Sequence, residues 1–188
     1  TLYQQRTCRL YDVRSRLKIV GRSPVSADGV ACDWSAAGLE FTADCEGDVT
    51  VRASGALTGV HQADGAYFTV YLDGERLPEA LLVAADSDED ITIAAGLPRG
   101  RHTIRLIKQS HIRQQRIVFH SLTMKGELLA APAQRGCFIE FIGDSITCGH
   151  GAKGASGDIN GTDATLAFAF QTAEALNADY SLVSVGGM

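Results

Sequence analysis

The chain has 188 residues, enough for one ordinary domain or two small ones, and its 45% share of hydrophobic residues is typical of a packed globular protein. A formal net charge of -5, without a long run of like charges, argues against a nucleic-acid partner. No apolar stretch reaches the roughly 20 residues needed to cross a bilayer, so no membrane partner is expected.

The first two thirds of the chain are predicted to be β structure. Short segments rich in β-branched and aromatic residues recur between turn signals, with Asp73-Gly74 as a tight-turn signal and Pro98-Arg99-Gly100 as another. Seven strands at short spacing predict an all-β sandwich or jelly roll over residues 1–132. The predicted strands cover residues 39–43, 49–53, 67–72, 80–83, 90–94, 102–108 and 116–125.

The residue pattern changes after a linker at residues 130–133. Residues 137–143 form an almost continuous apolar run, which predicts a strand buried on both faces as in a parallel sheet. A glycine-rich loop follows at 149–161, then a helix over 164–177 capped by Thr162 or Asp163, then a second buried strand at 180–185. This order predicts that residues 133–188 open an α/β domain.

The chemically informative motif is Gly143-Asp144-Ser145, directly after the first strand of that unit. Such a position aims the Ser145 hydroxyl out of the carboxyl edge of a parallel sheet, where open α/β sheets bind their ligands. Gly143 allows close backbone approach, and Asp144 is assigned a structural role in the turn. An ordinary turn remains the alternative for the tripeptide alone, but its context after a buried strand favours a nucleophile.

The segment from residue 139 to 151, IEFIGDSITCGHG, resembles block I of SGNH (GDSL-type) hydrolases. More narrowly, the chain resembles carbohydrate esterase family 2, in which an N-terminal jelly roll precedes an SGNH domain. Residues 21–41, 96–110 and 163–188 resemble further segments of that family in the right order. The resemblance implies a two-domain fold, with a β-sandwich followed by the start of a flavodoxin-like parallel sheet.

The resemblance also implies a reaction, the removal of acetyl groups from plant-type poly- or oligosaccharides through an acyl-enzyme on Ser145. The amides of Ser145 and Gly187 are the implied oxyanion donors, with the neighbouring Gly186 as the alternative to Gly187. The general base would be a histidine in an Asp-x-x-His block that has no counterpart in this sequence, so the base is unknown. No cofactor and no metal are expected.

One strand, one helix and a second strand cannot cover both faces of a parallel sheet. We therefore expect the natural protein to continue with a missing C-terminal segment, or a complementary chain to complete the domain.

Other candidate residues each have two interpretations. His150 is expected to contact substrate or to fill the loop, and the histidines of the β half, including His102 and His120, are expected to be solvated. Trp34 is expected to be a core residue, with sugar stacking as the alternative. An acidic loop at 86–90 and a polar segment at 108–116 are expected to be solvated, the alternatives being a calcium site and a contact with the catalytic domain.

Five widely spaced cysteines without a CxxC pair predict free thiols and no zinc site. A single bridge between Cys32 and Cys45 stays open, and Cys148 is expected to be a packing residue. Free thiols and the lack of a visible signal peptide favour a cytoplasmic location, with secretion as the alternative. Two other functions remain alternatives: a carbohydrate-binding module with an inactive hydrolase portion, and an SGNH lipase or thioesterase.

Overall fold

The computed structural model describes residues 3–57, 65–110, 112, 115–154 and 161–187. Ten strands pair antiparallel into one continuous sheet, in the order β3-β4-β10-β5-β9-β6-β7, with β1 beside β10, β2 beside β5 and β8 beside β6. We call β1 to β10 the β region. Its strands are β1 Gln5–Arg9, β2 Leu17–Val20, β3 Val25–Ser26, β4 Gly29–Cys32, β5 Gly38–Leu57, β6 Gly65–Leu72, β7 Glu75–Arg76, β8 Leu81–Ala84, β9 Asp88–Lys108 and β10 Gln115–Leu128.

Strands β5 and β9 are 20 and 21 residues long, and each replaces two strands predicted from the sequence. The predicted turn at Pro98-Arg99-Gly100 is wrong, because these residues lie inside β9. Opposite them, the register between β5 and β9 shifts three times between Cys45 and Thr50. Extra residues are therefore absorbed as bulges, which bend a strand without ending it. Bulges let the two long strands curl, and the sheet encloses its own core.

The Asp73-Gly74 turn is confirmed. Both residues have positive φ, 51° and 88°, and they join β6 to β7. Two successive left-handed residues match the right-handed twist of the paired strands, which explains the Asp-Gly pair.

The core of the β region is apolar and dominated by residues that alternate along the strands. Leu39, Phe41 and Ala43 of β5 are fully buried, as are Phe68 of β6 and Phe119 of β10. The Phe68 and Phe119 rings meet edge to face with centroids 5.2 Å apart. Trp34 is only partly buried and packs against this core, in line with the core interpretation.

Residues Phe138–Ser184 form a second, smaller unit, which we call the βαβ unit. Strand β11 (Phe138–Gly143) pairs in parallel with β12 (Asp179–Ser184), in register from Phe138 opposite Asp179 to Gly143 opposite Ser184. Between them lie a 3₁₀ helix, Ala164–Leu166, and helix α1, Phe168–Ala175. Asp163 caps the 3₁₀ helix by accepting a hydrogen bond from the Thr165 amide at 2.9 Å. The helix is thus shorter than the predicted 164–177.

Strand β11 is not buried on both faces, so that prediction is wrong. Phe138 and Ile142 point to the same side and are 63% and 74% exposed, and Ile146 in the following loop is 71% exposed. Strand β12 is mostly buried, as predicted. The difference arises because residues of the β region and α1 cover only one face of this small sheet.

The two units pack through a second apolar cluster and through ion pairs. Phe170 of α1 lies between Tyr71 and Tyr180, with ring centroids 6.0 and 5.4 Å away. Arg105 of β9 donates two hydrogen bonds of 2.8 Å to the Glu174 carboxylate. Burial alone would raise the pKa of Glu174, but the bonds from Arg105 and a second arginine outweigh it and lower the pKa. The pair is therefore charged and ties α1 to β9.

The polar segment after β9 is another part of this interface. Lys108, Gln109 and Gln115 are fully buried, so the expectation of a solvated loop is wrong for these residues. Lys108 Nζ donates to Asp33 O and to Ser110 O, both at 2.9 Å. Burial lowers the pKa of Lys108 to about 7. The alternative interpretation, a contact with the neighbouring unit, fits better, since the Ala164 amide donates to Gln109 O.

All five cysteines are free, so the bridge between Cys32 and Cys45 is not formed. Within the described ranges, no helix has the length and apolar character to span a bilayer.

Candidate active site

The candidate site begins where β11 ends. Gly143 is the last residue of the strand, and the chain turns at once: the Asp144 carboxylate accepts a hydrogen bond from the Ile146 amide at 3.0 Å. The Cys148 amide donates to Asp144 O at 3.1 Å and the His150 amide to Ser145 O at 2.9 Å. We call residues 144–154 the β11 loop. The first turn of this loop engages the Asp144 side chain.

Gly143 is required here by close approach. A Cβ atom on Gly143 would lie 2.1 Å from Thr147 Oγ1 and 2.9 Å from Thr147 Cβ. Thr147 is itself buried, so it cannot move aside cheaply. Any larger residue at 143 would displace the turn that presents Ser145.

Ser145 is half-buried, and its hydroxyl has no hydrogen-bond partner among the residues that the structure describes. Its backbone N–H is also without an acceptor in that part of the chain, and the loop bonds that involve Ser145 are accepted by its carbonyl. Hydroxyl and amide are thus both available to a ligand.

Gly187 follows β12, three residues after Ser184, the residue that pairs with Gly143. The Val185 amide donates to Gly143 O at 3.2 Å, which carries the parallel pairing to the ends of both strands. Gly187 then turns with φ of 84°, a left-handed conformation that favours glycine, and it is exposed. Ser145 and Gly187 therefore both follow the carboxyl ends of neighbouring parallel strands, the edge where such sheets bind ligands.

Each histidine in the described ranges contacts groups other than the Ser145 hydroxyl. His150 Nδ1 is 3.4 Å from Thr162 Oγ1. His102 lies between Asp73 and Pro98 O and is buried, so its predicted solvation is wrong. His120 lies between Ser54 Oγ and Asp28 O at 2.7 and 2.5 Å. His61 and His111 lie outside the described residues.

Cys148 is three residues from Ser145 and fully buried. Burial raises the pKa of its thiol. The Sγ atom donates to Ser145 O at 3.3 Å, so the group present is the neutral thiol. A buried thiol that donates to the backbone is a packing group and a poor nucleophile.

Sequence reasoning missed the importance of Asp163, which it treated only as a cap. The Asp163 carboxylate is fully buried and also contacts Arg76 of β7 and Lys153 of the β11 loop, at 3.0 and 3.3 Å. No local pattern connects residues 76, 153 and 163, so only a pairing of carboxylate and cations in three dimensions reveals them.

The described residues contain no group of three or more side chains arranged to hold a metal ion. In the acidic segment at 86–90, the carboxylates of Asp88 and Asp90 face Arg52 at 3.0 and 3.8 Å. The segment is exposed, as predicted, but residues 88–90 belong to β9, so the prediction of a loop is wrong for them.

Comparison with known proteins finds a matching family, a similar protein and similar solved structures. The family model described as carbohydrate esterase 2 N-terminal matches residues 19–132. The cellulase/esterase CelE of Acetivibrio thermocellus is 30% identical over 167 residues, which are 86% of this chain and 19% of that protein. A family two carbohydrate esterase from Clostridium thermocellum, solved in complex with cellohexaose, has a TM-score of 0.81 at 28% identity, covering 92% of this chain and 52% of that one.

An acetyl xylan esterase from the rumen bacterium Butyrivibrio proteoclasticus shares the fold with a TM-score of 0.83, at 21% identity over 97% of this chain. The present chain spans 49% of that structure, and so about half the length of the solved relatives it matches. The family match covers more than half of the residues and coincides with most of the β region. The chain belongs to the carbohydrate esterase 2 N-terminal family.

Proposed function

We propose that this chain supplies the nucleophile of a serine esterase that removes acetyl groups from plant-type poly- or oligosaccharides. The observation that carries the proposal is the placement of Ser145 beyond the carboxyl end of β11, with its hydroxyl and amide unpartnered among the described residues. The relatives named above, carbohydrate esterases and an acetyl xylan esterase, support the reaction class.

In this proposal the βαβ unit is the start of an SGNH-hydrolase domain, residues 133–188, that follows the β domain of residues 1–132. The Ser145 oxygen attacks the acetyl carbonyl carbon, and a base takes the hydroxyl proton. The amides of Ser145 and Gly187 hold the oxyanion of the tetrahedral intermediate. The sugar hydroxyl leaves with a proton, and water then hydrolyses the acetyl-serine ester.

The general base is proposed to be a histidine outside this chain, brought by a further segment of the protein or by a complementary chain. The exposed side of β11 supports this arrangement. Three exposed apolar residues, Phe138, Ile142 and Ile146, extend along β11 and into the loop that carries Ser145, which suits coverage by further elements of a parallel sheet. His150, on the β11 loop, is proposed to contact substrate.

The test is the Ser145→Ala variant of the longest natural polypeptide that carries this chain, assayed by acetate release from acetylated xylan and with 4-nitrophenyl acetate. We expect kcat to fall by about 10⁴-fold or more, because loss of the nucleophile removes the covalent route. Ser121→Ala, on β10 of the β region, is the matched control and should keep full activity. Retained activity in Ser145→Ala would refute the assignment of Ser145.

A carbohydrate-binding role is a second candidate, because one relative was solved in complex with cellohexaose. Titration of the Ser145→Ala protein with cellohexaose tests it without catalysis. Binding together with an inactive wild-type protein would favour the binding module. Cleavage of long-chain esters or thioesters in preference to acetylated saccharides would instead favour the lipase or thioesterase alternative.

A further inference from the structure

The Asp163 carboxylate is the most heavily used buried acid at the junction of the two units. It is fully buried. Its Oδ1 atom accepts hydrogen bonds from the amide and the hydroxyl of Thr165 at 2.9 and 2.6 Å. Its Oδ2 atom lies 3.0 Å from Arg76 Nη2 and 3.3 Å from Lys153 Nζ. A buried carboxylate is stable only when charges and hydrogen bonds satisfy it in this way.

The two cations that contact Asp163 Oδ2 belong to different parts of the chain. Arg76 belongs to the short strand β7 of the β region, and Lys153 belongs to the β11 loop. Lys153 Nζ also donates to Gln109 Oε1, and Gln109 O accepts from the amide of Ala164. The β11 loop is therefore joined to the β region through one carboxylate and one glutamine.

A backbone route leads from Asp163 to the turn that holds Ser145. The Asp163 amide donates to Gly149 O at 3.0 Å, and the Gly149 amide donates to Ile146 O at 3.2 Å. Gly149 has φ of 75°, and a Cβ there would lie 2.3 Å from Asp163 O. The backbones of Gly149 and Asp163 thus approach closely and share a hydrogen bond, which couples the position of the loop at Gly149 to that of Asp163. Asp163 does not itself touch Ser145.

We propose that Arg76 and Asp163 are positioning residues, through which the β region holds the β11 loop and the Ser145 hydroxyl in a fixed place. The inference rests on the proposed function for its catalytic meaning, but its structural part does not. In this arrangement the β region has a second task beside any binding of carbohydrate: it orders the loop on which the nucleophile stands.

Hydrogen exchange tests the proposal directly on this chain. The amides of Cys148, Gly149 and His150 are bonded inside the β11 loop and report its opening. In Arg76→Gln and in Asp163→Asn we expect these amides to exchange about tenfold faster, as follows from weakening one hydrogen bond to a charged group. Arg76→Lys keeps the positive charge, so exchange should return at least halfway to the wild-type rate.

The matched control is Arg22→Gln. Arg22 also joins the β region to the βαβ unit, through a 2.6 Å ion pair with Glu140 of β11, but this pair is far more exposed and does not contact Asp163. It should leave exchange in the β11 loop unchanged. If Arg76→Gln behaves like Arg22→Gln, or accelerates the core of the β region as much as the loop, the proposal is overturned.

Kinetics of the longest natural polypeptide add a catalytic readout. A positioning role lowers kcat in Arg76→Gln by about tenfold while KM changes less than about twofold, and Arg76→Lys restores part of kcat. Should Ser145→Ala remain active, the proposed function fails, while faster loop exchange in Arg76→Gln would still uphold the structural link. If Ser145→Ala is inactive but exchange in Arg76→Gln is unchanged, the proposed function is upheld and the structural link is refuted.

Discussion

At the scale of single residues, His102 illustrates how distant partners set the state of a side chain. Its Nδ1 atom is 2.8 Å from Asp73 Oδ2 and its Nε2 atom 2.9 Å from Pro98 O. A neutral imidazole has one N–H, so both acceptors are satisfied only by the doubly protonated ring. Burial alone would lower the pKa of His102, but the hydrogen bonds to Asp73 and Pro98 outweigh it and raise the pKa.

A pH dependence of stability follows. A histidine whose pKa is raised on folding contributes fully below its ordinary pKa of about 6.5, and the contribution is lost as pH rises through the folded value. His102→Gln should therefore lower the free energy of unfolding by about 1 kcal/mol at pH 5.5 and by less at pH 8.5. Urea unfolding at both pH values measures this.

The carboxylate of Asp73, the partner of His102, allows a second test of the same ion pair. Burial alone would raise the pKa of Asp73, but bonds from His102 and the Thr103 amide lower it. Its contribution is therefore present above about pH 3.9 and lost as pH falls through the folded value. Asp73→Asn should show the same pH trend as His102→Gln. An equal loss of stability at pH 5.5 and 8.5 in both variants would contradict the charged pair.

At the scale of elements, local patterns predicted what local interactions determine. The Asp73-Gly74 turn, strand β12 and the Asp163 cap follow from residues adjacent in sequence. The Pro98-Arg99-Gly100 segment was misread because its bulge depends on the register with β5. Strands β3 and β7 have two residues each, too few for a periodic pattern, and form only because β4 and β6 pair with them.

Two glycines of the β11 loop, Gly149 and Gly154, differ in whether their surroundings leave room for a side chain. Gly149→Ala meets both a positive φ and a Cβ contact of 2.3 Å with Asp163 O, whereas a Cβ at Gly154 would meet nothing within 4 Å. We expect Gly149→Ala to cost about 2 kcal/mol or more and Gly154→Ala to stay within about 0.5 kcal/mol. Thermal unfolding of both variants tests this, and equal shifts would disprove the tight contact.

The candidate site itself was only partly predictable. The motif located Ser145, since a serine after a buried-looking strand has a recognisable local pattern. The sequence could not show that Arg76, Lys153 and Asp163 meet, because β7 lies far from the β11 loop along the chain. The burial of Lys108 was not predicted for the same reason, because a lysine in a polar segment has the sequence pattern of a solvated residue.

At the scale of the whole molecule, the outstanding surface feature is the apolar side of the βαβ unit. Phe138 and Ile142 of β11 and Ile146 of the following loop are each more than 60% exposed. Large exposed apolar residues beside an open strand edge promote association between chains.

We therefore expect this chain, studied by itself, to self-associate with increasing concentration in sedimentation velocity experiments. The double substitution Phe138→Thr with Ile142→Thr should shift the distribution toward monomer by about tenfold in concentration, because it removes apolar area while keeping strand propensity. Leu82→Thr, at a large exposed residue of β8 in the β region, is the control and should have no such effect. A wild-type chain that stays monomeric throughout would refute the prediction.

The pairing of β1 with β10 has a further consequence for the way the molecule is made. Gln5 pairs with Lys125 and Arg9 with Ser121, and β10 also lies between β4 and β5. During synthesis from the N-terminus, residues 115–128 leave the ribosome after the other strands of the β region. Until then β1 and β4 lack β10, the strand that joins them to β5. Contacts this distant in sequence slow folding and leave strand edges open meanwhile. The nascent chain is thus most vulnerable to aggregation just before β10 emerges, and β10 is the strand that closes the fold.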